Sequence, residues 1–162
     1  MNYLVVYSSK SGNTKKLAQA IYDFLPGDKE LKPVQEAPDP SDFIFVALGF
    51  WVKDGHPDPA AQEYLKRFNE DHQLFLFATH GGALKSEEVE QAMKEAKKLA
   101  HKARIVGQFS CQGEVAPEVL EAARSQQPPP DWIAAAEAAK GHPDQADIDN
   151  LLHLLEALDL PW

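Results

Sequence analysis

A three-layer α/β sandwich, with a parallel sheet held between two layers of helices, is the architecture this chain predicts. Two patterns carry that expectation. Four short apolar runs, at Tyr3–Tyr7, Phe43–Leu48, Leu74–Ala78 and Ile105–Phe109, are rich in β-branched or aromatic residues and apolar on both faces, as buried parallel strands are. Amphipathic segments of helical period alternate with them, and that alternation builds a parallel sheet covered by helices. At 162 residues the chain is long enough to bury its own core. Residues 1–162 read as a single domain, with the sheet-bearing core over 1–113 and a covering helical segment over 114–162.

Tyr3–Tyr7 is the first strand. Over Thr14–Leu25 the residues Leu17, Ile21 and Phe24 recur at four and three, giving one apolar stripe, and Pro26-Gly27 ends the helix. Glu30–Val34 is a weaker strand, because Leu31 and Val34 flank Lys32 and Pro33, a pattern tolerated at a sheet edge. Phe43–Leu48 follows, and then a helix over Pro59–Glu70 carrying Ala61, Tyr64, Leu65 and Phe68. After Leu74–Ala78, a helix over Ser86–His101 presents Val89, Met93, Ala96 and Ala100. Ser86 is its expected N-cap, and Glu87, Glu88 and Glu90 suit the positive end of its dipole. Ile105–Phe109 completes the four central strands.

After Cys111 the pattern changes. Gln126-Gln127-Pro128-Pro129-Pro130 breaks any helix and predicts a stiff, extended connection. An Ala-rich stretch, Trp132–Lys140, leads to Gly141 as a helix-terminating residue. Pro143 then falls in the first turn of a last helix with Leu151, Leu152, Leu155 and Leu158, which covers the sheet. Gly-His-Pro-Asp occurs at 55–58 and again at 141–144, which reflects shared helix-start chemistry, not duplication.

Lys plus Arg number 16 against 25 for Asp plus Glu, a formal net charge of −9 that repels nucleic acid and anionic bilayers alike. No apolar stretch approaches the roughly 20 residues that span a bilayer, and no export signal opens the chain, so the expected compartment is the cytoplasm. One cysteine, Cys111, excludes an internal disulfide and reads as a buried structural thiol after the last strand. The histidines are scattered, with no pair at metal-ligand spacing, and no metal is expected.

In an open parallel sheet, ligands bind outside the carboxyl ends of the strands, so the loops directly after them matter most. The first reads Ser8-Ser9-Lys10-Ser11-Gly12-Asn13-Thr14 and opens into a helix. Hydroxyls, an amide and backbone N–H groups around a glycine at a helix N-terminus suit a terminal phosphate; a polar turn that merely caps the helix is the alternative. The P-loop and G-x-G-x-x-G patterns are both lacking here, as are the cysteine and aspartate nucleophiles of phosphatases and receiver domains.

The strand followed by Ser-x-Ser-Gly-Asn-Thr at 9–14 and an amphipathic helix resembles the phosphate loop of short-chain flavodoxins, which holds the phosphate of FMN. The resemblance covers roughly residues 3–112 and implies a five-stranded parallel sheet in the order 2-1-3-4-5. It assigns Ser9, Ser11, Gly12, Asn13 and Thr14 to the phosphate, with Lys10 in the same loop. The second loop, Gly49-Phe50-Trp51 onward to Pro57, flanks the isoalloxazine in such proteins. A broad flat ring is well held by the face of Trp51 at a strand end, whereas Phe50 is as readily a core plug. Many flavodoxins carry a glycine after the aromatic residue, whose peptide turns to bond the half-reduced ring; Val52 stands there in this chain. The third loop, Thr79-His80-Gly81-Gly82-Ala83, resembles the Thr-His-Gly-Gly loop of some flavodoxin-like proteins. Its glycines let backbone approach the pyrimidine edge, and His80 either meets the ring or is a turn residue.

The implied function is a low-potential one-electron carrier with FMN as cofactor and a redox partner presenting a basic patch to the acidic surface. Two alternatives stand beside it: an FMN-dependent NAD(P)H:quinone or small-acceptor oxidoreductase, and a cofactor-free flavodoxin-like interaction module.

Overall fold

The structure is a computed structural model and describes residues 2–81, 86–158 and 160. In chain order the elements are β1 (Asn2–Tyr7), α1 (Asn13–Phe24), β2 (Asp28–Pro33), β3 (Phe45–Lys53), β4 (His56–Pro57), α2 (Pro59–Leu65), β5 (Gln73–His80), α3 (Glu87–Leu99), β6 (Arg104–Gln112), α4 (Pro117–Arg124), α5 (Ile133–Ala138) and α6 (Gln145–Ala157). The sheet order is β2-β1-β3-β5-β6, all neighbours parallel, and the two-residue β4 pairs antiparallel with the end of β3. Without β4 this is the order 2-1-3-4-5 that the resemblance implied.

Alternation along the strands divides the core in two. On one face Tyr3, Val5, Phe45, Ala47, Phe75, Phe77 and Cys111 pack under Leu17 and Ile21 of α1 and Leu151 and Leu155 of α6. On the other, Leu4, Val6, Val46, Leu48, Phe50, Leu74 and Leu76 pack under Tyr64 and Leu65 of α2 and Met93 and Ala96 of α3. The Leu-rich last helix therefore covers the sheet beside α1, as expected. Among the described residues no helix is long and apolar enough to cross a membrane.

Register sets up the carboxyl end of the sheet. Tyr7, the last residue of β1, lies level with Gly49, whereas β3 runs on to Lys53 and β5 pairs with it as far as Trp51 opposite Thr79. The loop after β1 thus occupies a step overlooked by the longer ends of β3 and β5.

Several expectations are corrected. Gly49-Phe50-Trp51 is not a loop: the ladder with β5 and then the β4 hairpin satisfy the backbone of β3 through Lys53. Ile105–Phe109 is in the edge strand β6, and most of its residues are only half-buried. Helix α2 ends at Leu65, where i→i+3 bonds from Arg67 to Tyr64 (3.0 Å) and Phe68 to Leu65 (3.4 Å) tighten the chain and turn Phe68 into the core. Ser86 is the N-cap residue of α3, yet its side chain makes no capping bond. The Gln126–Pro130 segment is bent rather than extended, and the helical segment expected over 114–162 includes α4, which lies ahead of that bend. Pro143 precedes the cap of α6, which is Asp144.

Candidate functional site

A cleft of about 550 Å³ opens over the carboxyl ends of β1, β3 and β5. Ser9, Lys10, Ser11, Asn13 and Thr14 line it from the first loop, Trp51 and Val52 from the end of β3, and Thr79, His80 and Gly81 from the end of β5. The three segments singled out in the sequence therefore meet in one place.

The first loop is shaped for an anion. Helix α1 starts at Gly12 (φ +92°) with no side-chain cap and no acid in its first turn, whereas α2 and α6 each start with a capping aspartate. Its leading N–H groups and the positive end of its dipole are left for a ligand. Ser9 Oγ accepts from Gly12 N–H at 2.9 Å and tightens the turn. Thr14 is buried and bonds Thr79 through their hydroxyls at 2.8 Å, tying the loop to β5. Across the cleft Trp51 is half-buried, and the ammonium of Lys10 sits 5.6 Å from its ring centroid, a cation–π contact.

Trp51 is fixed from behind. Asp58, the cap of α2 and only 2 % exposed, accepts from Trp51 N–H at 3.2 Å and Ala61 N–H at 3.3 Å, and Ser8 Oγ donates to it at 2.5 Å. Asp58 N–H in turn donates to Trp51 C=O at 3.1 Å.

A further wall was not foreseen. Gly113, Glu114, Val115, Ala116, Glu118 and Val119 line the same cleft. Gly113 N–H donates to His80 C=O and Glu114 N–H to His142 C=O, both at 2.8 Å. The Asn13 side chain donates to Glu114 C=O at 3.0 Å, and Lys16 Nζ to Pro143 C=O at 2.5 Å. These bonds seat the segment after β6 against the first loop. A Cβ on Gly113 would stand 2.7 Å from Asn13 Nδ2, and one on Gly81 would stand 2.7 Å from Val115. Their position just after the fifth long strand, at the carboxyl end of the sheet, is the signal that could have found these residues.

Three assigned residues are corrected. Gly49 and Phe50 do not line the cleft. Phe50 is fully buried in the core beneath α2 and α3. Gly49 leaves room for the Phe77 ring, which a Cβ there would meet at 2.1 Å. Gly12 is the N-cap of α1 but does not line this cleft; it lies on a groove between α1 and α6, and Gly82 lies outside the described residues. Cys111 is 2 % exposed, and burial, with Asp147 and Asp144 nearby, pushes its thiol up to about 12, an inert group. One histidine has two acidic neighbours: His142, Asp144 and Asp147 gather at the start of α6, where His142 Nδ1 and Asp147 are 2.6 Å apart and Asp144 and Asp147 form a capping box.

Comparison with known proteins agrees with this architecture. A family model for the flavodoxin domain matches residues 4–156. The flavodoxin-like domain-containing protein BilS of Clostridioides difficile (strain CD3) is 30 % identical over 160 residues, covering 91 % of this chain and 90 % of that protein. A flavodoxin from Streptococcus pneumoniae TIGR4 superposes with a TM-score of 0.65 over 96 % of both chains at 11 % identity. A Lactobacillus acidophilus flavoprotein solved in complex with FMN superposes at 0.57, with 18 % identity, over 67 % of this chain and 92 % of that one. With the family model spanning the sheet, the helices and the cleft-bearing loops together, this chain belongs to the flavodoxin-domain family.

Proposed function

We propose that this chain binds FMN in the cleft and carries single electrons at low potential to or from a partner reductase. One observation carries the reading: the uncapped start of α1, with the small polar side chains of Ser9, Ser11, Asn13 and Thr14, shares a cleft with Trp51 and the end of β5. An anionic end and a flat apolar body are what such a lining fits. Family membership and the FMN complex of the Lactobacillus relative in fold support the choice of ligand.

Bound FMN supplies the electron-transfer chemistry. The chain supplies position and field. Ser9, Ser11, Asn13 and Thr14 and the first N–H groups of α1 take the phosphate, with the Lys10 ammonium beside them. Trp51 orients the ring and excludes water from one face, and Gly81 brings the backbone at the end of β5 up to it. Val52, following Trp51, resists the peptide turn that a glycine there would allow. Net charge of −9 opposes added negative charge in the cleft and lowers the potential, by about 59 mV for each 1.4 kcal/mol in a one-electron step.

The test is a visible spectrum of the purified protein, an FMN titration and anaerobic reduction. A yellow protein that binds FMN stoichiometrically, is bleached by dithionite and reacts slowly with NADH agrees with a carrier. Rapid bleaching by NADH would instead indicate the NAD(P)H-dependent oxidoreductase. A colourless protein that FMN does not saturate would indicate an interaction module.

A further inference from the structure

Among the described residues Asp58 is the one buried carboxylate, and it does not line the cleft. A helix cap needs only the Ala61 bond. Asp144, in the second Gly-His-Pro-Asp, caps α6 from a half-exposed position. Asp58 carries two additional bonds, and they point to opposite sides of the cleft. Ser8 immediately precedes the phosphate-type loop, and Trp51 forms the apolar wall.

We propose that Asp58 is a positioning residue that fixes the separation between the Ser9–Thr14 loop and Trp51, so that a ligand with an anionic end and a flat ring engages both at once. The inference rests on the FMN reading. When two subsites are held at the spacing of a ligand's two ends, the second contact forms without further loss of translational freedom. A loose junction leaves each subsite intact and removes that advantage. The Ser8 bond is the arm that links the two sides. Cutting it leaves the cap of α2 and both backbone bonds of Trp51 in place.

The experiment compares FMN with riboflavin, which lacks the phosphate, on wild type, Ser8→Ala and Asp58→Asn, with folding checked by circular dichroism and urea midpoint. The expected result is that FMN affinity falls about tenfold in Ser8→Ala while riboflavin affinity stays within about twofold, so that the preference for FMN collapses. Asp58→Asn, where it folds, follows the same pattern with a larger loss; if it does not fold, Ser8→Ala decides alone. Equal losses for both ligands, or an unchanged preference, would overturn the positioning role and leave the FMN reading standing. A wild type that binds flavin without preferring FMN overturns the positioning role together with the phosphate subsite on which the FMN reading stands. A wild type that binds neither ligand overturns both.

Discussion

Gly12 concentrates the argument for an anion at the head of α1. Its φ of +92° lies where an L side chain is strained by about 1–2 kcal/mol, although a Cβ there would meet nothing within 4 Å. Gly12→Ala therefore reports strain alone, and Gly12→Asp adds a carboxylate beside the proposed phosphate subsite. Both variants should lose roughly 1–2 kcal/mol of stability in thermal or urea unfolding. Only the aspartate should lose FMN affinity by a further factor of about ten or more, with riboflavin far less affected, because like charges meet in a site built for an anion. Equal FMN affinities for the two variants would show that the phosphate lies elsewhere. This loop was legible in the sequence because its chemistry is local: small hydroxyls, an amide and a glycine adjoin the residues that begin the helix. Phe50 and Gly49 were not legible in the same way. Their roles depend on alternation along β3 and on Phe77 of the neighbouring strand, which residues 49–51 read alone do not reveal.

At the scale of elements, α6 and the turn before it hold the unforeseen wall. His142 and Pro143 accept bonds from Glu114 and Lys16, and the capping box places His142 against Asp147. The hydrogen bond to Asp147, aided by the charges of Asp147 and Asp144, raises His142 above its ordinary 6.5. A raised folded value means that the charged imidazole stabilises the fold fully below 6.5, and that the contribution disappears as pH rises through the folded value. Asp144 runs the other way. Its carboxyl is held below 3.8, chiefly by the backbone N–H of Asp147, so its contribution is present above 3.8 and is lost as pH falls through the lowered value. The stability gap between wild type and His142→Gln should thus be largest near pH 6 and shrink as pH rises, measured by urea midpoint; a gap constant from about pH 6 to 9 would contradict the pairing. The repeated Gly-His-Pro-Asp did announce two helix starts: Asp58 and Asp144 both cap, and Gly55 and Gly141 both have positive φ. It could not announce that one aspartate is buried between two strands and the other is open to water. α4 is as amphipathic in sequence as α1, yet its eight residues bury only Ala123 and leave Val119 48 % exposed on the cleft wall, a placement that the pattern of its own residues does not announce.

For the whole molecule, the parallel topology was legible because a central strand buried on both faces cannot hide its apolar run, and the strand order followed from the resemblance. On the proposed reading, net charge would select the partner. The net charge is −9, and Glu114 and Glu118 line the cleft, so a cationic protein approaching it would be attracted both at long range and by these two carboxylates at its rim. Such attraction acts mainly on the rate of encounter, and salt screens it over a Debye length of about 10 Å at 0.1 M. On the FMN reading, electron transfer from the reduced protein to a basic redox protein, followed by stopped flow, should slow severalfold between about 20 and 200 mM salt. Transfer to a small uncharged quinone has no net charge to steer and should stay flat over the same range. Glu118→Lys separates the rim from the global field: it changes the total charge by only two units yet reverses the sign beside the cleft. A reduced salt slope in that variant would place docking at this rim. An unchanged slope would assign the attraction to the distributed charge alone, and a rate flat in salt for the wild type would remove the basic partner from the proposal.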